Sequence, residues 1–82
     1  MPTVLRHGGL RIVIYTSDHR PAHVHVIGPD AEAVINLNCP IGPVEIRENY
    51  GFRRRELTVA ENVINLHIGK LCRAWEEIHG HA

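Results

Sequence analysis

The 82-residue sequence has little of what usually announces a partner or a compartment. Nine Lys+Arg are balanced by nine Asp+Glu, so the formal net charge is zero. No overall field draws such a chain to nucleic acid or to an anionic membrane, and any anion site has to be built locally. No apolar run approaches the ~20 residues that a membrane-spanning helix needs. The opening Met1-Pro2-Thr3-Val4-Leu5-Arg6-His7 has no basic stretch leading into an apolar one. No repeat or linker divides the chain. Its two cysteines, Cys39 and Cys72, form neither a C-x-x-C pair nor the dense framework of a small secreted domain. Together these absences lead to the expectation of one domain over residues 1–82, cytoplasmic, away from membranes, with both cysteines as free thiols.

What is present is an ordinary globular composition, 44% hydrophobic and 22% charged, in a chain short enough to hold one core and one site. Leu10, Ile12 and Ile14 alternate with Arg11, Val13 and Tyr15, the period of a strand, and Gly8-Gly9 can close a hairpin onto Thr3 to Arg6. His23 to Ile27 and Glu32 to Leu37 read as further strands around a Gly28-Pro29-Asp30 turn. Asn38 to Pro43 has to be irregular, Val44 to Ile46 reads as a short edge strand, and Asn49-Tyr50-Gly51 reads as a turn whose glycine takes a positive φ. The period then changes: Leu57, Ala60, Ile64, Ile68, Leu71, Trp75 and Ile78 share one stripe of a helix placed at about residues 55–79. Thr58 to Glu61 fits its capping box and Gly80 its end. The expected fold is α+β: an antiparallel sheet of about four to five strands, hairpin plus meander, covered on one face by a long C-terminal helix. The other face is then open to water or to a partner.

The chemistry concentrates in Asp18-His19-Arg20-Pro21-Ala22-His23-Val24-His25. Residues two apart on a strand point the same way, so His23 and His25 share one face and Val24 and Val26 the other, toward the helix. A loop stiffened by Pro21 can bring His19 and Asp18 alongside. Neutral imidazoles with a carboxylate suit zinc or another divalent metal, which requires at least three ligands from Asp18, His19, His23 and His25. The same imidazoles suit acid-base catalysis, with His23 or His25 as the proton carrier and a tyrosine or arginine as charge stabiliser. The plain alternative is that Asp18 and His19 only tie down the loop. Separately, Arg53-Arg54-Arg55, with Tyr50 and Phe52 nearby, is the mixture that binds a phosphate and a base, although a solvated loop paired with Glu48 and Glu56 explains it as well. Trp75 and Cys72 read as core, His67 as a boundary residue, and His79 and His81 as helix-end residues.

The stretch from Met1 to Arg6, Tyr15, the histidine motif, Glu48-Asn49-Tyr50-Gly51-Phe52 and a final helix with Leu71 and Trp75 resemble the prokaryotic family known as domain of unknown function 4160. The family usually has two consecutive prolines before the H-x-H pair; here the second is Ala22. The resemblance implies a toxin-like component of a bacterial toxin-antitoxin module, masked by a small antitoxin-like protein. Combined with the motif it leads to the expectation of an RNA-directed hydrolase, with His23 or His25 as acid or base and Arg53, Arg54, Arg55 and Tyr50 holding substrate. Two other readings stay open: a non-catalytic protein-interaction module, and a small metal-binding domain.

Overall fold

The computed structural model describes residues 3–80, so the expectation placed on His81 lies outside the described residues. The alternating segments become β1 (Thr3–His7), β2 (Leu10–Val13), β3 (His23–Ile27), β4 (Glu32–Asn36) and β5 (Glu45–Tyr50). They form one antiparallel sheet in sequence order, a five-stranded meander. The β1–β2 hairpin turns at Gly8-Gly9, where Gly8 holds φ +57, a conformation that a side chain disfavours. Strand β5 is longer than the sequence pattern suggested, running through Asn49 and Tyr50. A bulge opposite Val34 and Ile35 absorbs the register shift, and the polar residues of this edge strand hide the two-residue period. The turn follows at Gly51, whose φ of +102 strains any side chain and where a Cβ would crowd Asp30 and Ala31 at 3.1 and 3.2 Å.

Register puts Ile12, Val26 and Ala33 in one row and Val24 beside Ile35. These residues form one core with Leu57, Ala60, Ile64, Leu71 and Trp75. Val24, Val26, Ile35 and Ile64 are fully buried, each stabilising the fold by roughly 1.5–3 kcal/mol relative to exposure. The valines of β3 therefore face the helices.

The single helix expected over residues 55–79 is two: α1 (Arg54–Leu66) and α2 (Ile68–His79), meeting at His67 with φ −111 and ψ 24. The hydrogen bonds run through the junction, since the His67 N–H is shared between the carbonyls of Val63 and Ile64 and the His67 carbonyl accepts from Leu71 N–H. It is a kink. A straight helix of that length would span about 37 Å, whereas the longest extent of the fold is 33 Å. Bending keeps both apolar stripes on the core. The amino-terminal box lies five residues earlier than expected: Glu56 accepts the Arg53 N–H at 2.8 Å, while Thr58 donates back to the Arg54 carbonyl. Gly80 ends α2 as expected, with φ +78.

The expectation of free thiols is overturned, because Cys39 and Cys72 form a disulfide. The irregular segment after β4 folds under α2 and brings residues 33 apart in sequence into contact, something spacing alone does not reveal. Cys72 is buried as expected, but as half of a cross-link. A disulfide of this kind persists in oxidising surroundings, whereas the expectation of free thiols follows from a reducing compartment. No helix among the described residues is long and apolar enough to cross a membrane.

Candidate metal centre

Between β2 and β3 the chain makes a tight turn held by reciprocal bonds. The Tyr15 N–H donates to Asp18 Oδ2 at 2.9 Å and the Asp18 N–H donates to the Tyr15 carbonyl at 3.1 Å, the local bonding that aspartate offers a turn. One carboxylate oxygen is thus spent on the loop and the other, Oδ1, faces the strand. His25 Nε2 lies 3.1 Å from it and His23 Nε2 3.5 Å from it. One ligand atom from each of Asp18, His23 and His25 falls within 4.8 Å of the other two.

The outer nitrogens decide which atoms are available. His23 Nδ1–H donates to the Pro21 carbonyl at 2.8 Å, which leaves the Nε2 lone pair of the neutral ring directed at Asp18. His25 Nδ1 lies 3.3 Å from Glu32 Oε2, reached because Glu32 is the diagonal neighbour of His25 across the β3–β4 hairpin. A carbonyl and a carboxylate holding the far nitrogens of two imidazoles is the outer arrangement that fixes tautomer and ring direction in metal sites.

Helix α2 supports the cluster from behind. Trp75 lies against His23, with ring centroids 5.2 Å apart, and against His79 at 4.1 Å. His79 Nε2–H donates to the Tyr15 carbonyl at 3.0 Å, returning the helix end to the turn that carries Asp18, while the Tyr15 ring lies edge-on to His25. His23 is 4% exposed; the side chains of Asp18 and His25 are 11% and 14% exposed. Trp75 is core, as the stripe suggested, and a contact as well. Its Nε1 and the Oδ1 of Asn36, the cross-strand partner of His23, are buried without a protein partner among the described residues.

Burial pulls the Asp18 carboxyl upward, but the Tyr15 N–H, the His25 hydrogen bond and the charges of His25 and His23 outweigh it and hold the group below its ordinary 3.8. Between the lowered folded value and 3.8 the unfolded chain binds more protons, so stability rises with pH there. The Asp18 contribution is complete above about pH 5 and is lost as the pH falls through the folded value. Urea unfolding of metal-free wild type and Asp18→Asn at pH 7 and at pH 2.5 should show a gap between them that narrows in acid; an equal gap at both would contradict it.

A cleft of about 370 Å³ opens over the cluster, lined also by Ser17, His19, Arg20, Arg47, Glu48 and Tyr50. His19 is exposed and stands in the cleft wall, outside the converging trio. Tyr50 is at the rim, 63% exposed, its hydroxyl donating to Glu48 Oε1 at 2.7 Å, a bond that together with the Glu48 charge pushes the phenol upward. Arg53, Arg54 and Arg55 are elsewhere, around the start of α1, where they flank a separate depression with Glu56. The arginines of the cleft are Arg20 and Arg47. Sequence reasoning missed Glu32, which the hairpin register could have supplied, and gave no site role to Arg47 or to Arg20, although Arg20 lies inside the histidine motif.

Fold and site together define a small α+β domain with a histidine-histidine-aspartate cluster set on an antiparallel meander. The family described as Domain of unknown function (DUF4160) matches residues 9–76, and the chain belongs to it. Comparisons with curated proteins and with solved structures gave no match.

Proposed function

We propose that this is a divalent-metal-binding domain in which Asp18, His23 and His25 are the protein ligands. The observation that carries the reading is that two imidazoles, His23 held at Nδ1 by the Pro21 carbonyl and His25 with Nδ1 beside Glu32, bring Nε2 to 3.5 and 3.1 Å from the same carboxylate oxygen. Two nitrogens and one oxygen suit zinc or a neighbouring first-row ion. Three protein ligands beneath an open cleft resemble catalytic rather than closed structural sites, and an ion there would polarise a substrate oxygen or lower the pKa of a bound water. A ligand that binds only the folded state stabilises it by mass action, about 2.7 kcal/mol at a hundredfold excess over Kd. Zinc should therefore raise the melting temperature of chelator-treated protein and EDTA should reverse the rise; an unchanged melting curve would refute the reading.

A second reading rests on the 3.1 Å contact between His25 and Asp18: the pair is also a carboxylate-oriented acid-base dyad. Chelation separates the two, since a metal-free dyad keeps its activity in EDTA. As the cellular setting we propose the toxin-like role of a bacterial two-gene module, with RNA as target and a small antitoxin-like protein as partner. Folded His23→Ala and His25→Ala variants should then lose growth arrest, and unchanged arrest would remove the cluster from that role. A cytoplasmic placement predicts that Cys39 and Cys72 are both labelled by a thiol alkylator at cell lysis; protection of both would place the chain in an oxidising compartment.

A further inference from the structure

We infer that the cleft over the cluster is a nucleotide-phosphate site that accepts its anion only when the cation is bound. The inference rests on the metal reading above and goes beyond it by naming the ligand. The cleft is lined by two arginines, Arg20 and Arg47, against three carboxylates, Asp18, Glu32 and Glu48. Counted with neutral histidines, the lining carries one net negative charge and repels an anion. A divalent ion on Asp18, His23 and His25 reverses the sign to one positive, concentrated beneath the opening. The remaining carboxylates are already engaged: Glu32 with His25, and Glu48 with the Tyr50 hydroxyl and, at 3.8 Å, with Arg47 Nε. They shape the wall rather than compete for the ion.

The ligand class follows from what faces the opening. A phosphate offers several oxygens, so one can reach the cation while another takes a guanidinium, the pairing for which arginine geometry is suited. Tyr50 adds an exposed aromatic ring at the rim, tethered through its hydroxyl and so presented as a platform, and bases stack on such rings without regard to sequence. Cation, arginine and ring within one cleft fit a nucleotide better than a bare anion. The Arg53 to Arg55 cluster is not needed for this, and the overall charge balance of the chain does not oppose it, because the attraction is local.

The test uses the full chain, first loaded with one equivalent of zinc as checked by competition with a chromophoric chelator. Titrations with the dinucleotide UpU, with uridine monophosphate and with inorganic phosphate are then followed through the Tyr50 ring signals and by calorimetry. The expected result is saturable binding of UpU or the monophosphate to the zinc form and none to the EDTA-treated form. Arg47→Ala should weaken it by about tenfold or more at saturating zinc, and Tyr50→Ala should weaken nucleotides but not inorganic phosphate. Preference for UpU assigns the site to a strand, and preference for the monophosphate to a free nucleotide. Equal binding to the metal-free chain, indifference to Arg47→Ala, or inorganic phosphate binding as tightly as either nucleotide would overturn the inference. Zinc binding without nucleotide binding would overturn it while leaving the metal centre standing; failure of zinc to bind would remove both.

Discussion

Trp75→Ala should lower the unfolding free energy by about 3–5 kcal/mol, the range for emptying an aromatic side chain from a packed core. In a domain of this size that is roughly 15–30 °C in melting temperature. The residue is 1% exposed, belongs to the core cluster, and fills the space between His23 and His79. Its loss should therefore act on the site as well as on the fold, because the ring packed against His23 is gone and the His79 anchor on the Tyr15 carbonyl loses its backing. Zinc affinity should fall along with stability. Trp75→Phe separates packing from hydrogen bonding: it keeps an aromatic surface against His23 and removes an N–H that is buried without a protein partner among the described residues, a group that is costly to leave unsatisfied. The expected order of stability is wild type close to Phe, with Ala far below, measured by urea unfolding. An Ala variant within about 1 kcal/mol of wild type would show that Trp75 does not hold α2 to the sheet.

Reduction of the Cys39–Cys72 bond should have an effect of similar size. Cross-linking residues 33 apart restricts the unfolded chain by roughly 3.5–4 kcal/mol in the loop-entropy account. The bond also has a local consequence, since Cys72 lies one turn before Trp75 on α2 and both are buried. It ties the helix that supports His23 to the segment after β4. Thermal unfolding in EDTA with and without a phosphine reductant should differ by roughly 15 °C or more, and the Cys39→Ala/Cys72→Ala double variant should match the reduced protein. Identical curves in oxidised and reduced protein would mean that the cross-link contributes nothing to the native state.

The strands were legible because residue character alternates along them: Val24 and Val26 alternate with His23 and His25, although His23 is itself buried, and a register one residue off would exchange the two faces. The Gly8-Gly9 turn and the positive φ at Gly51 were legible for the same local reason, a backbone conformation that glycine favours. The kink at His67 was not, because Ile64, Ile68 and Leu71 keep the helical step on both sides of it. Nor was the disulfide, which depends on where two distant segments come to lie. In the site, strand alternation placed His23 and His25 together and the turn chemistry of Asp18 brought it near. His19 was misleading because adjacency in sequence to Asp18 says nothing about side-chain direction in a loop. Arg53 to Arg55 stood out as a run, whereas Arg20 and Arg47, which do line the cleft, come from separate segments that only the folded meander joins.

The most direct test of the metal centre is equilibrium zinc binding at pH 7 by chelator competition, on wild type and on Asp18→Asn, His25→Ala and His19→Ala, each checked for folding. Loss of an outer partner alone typically costs 10–100-fold in affinity, so loss of a ligand should exceed about 100-fold. The account predicts one ion per chain, affinity lost in Asp18→Asn and His25→Ala, and affinity kept in His19→Ala. No zinc bound by wild type, or a loss in His19→Ala as large as in His25→Ala, would contradict it.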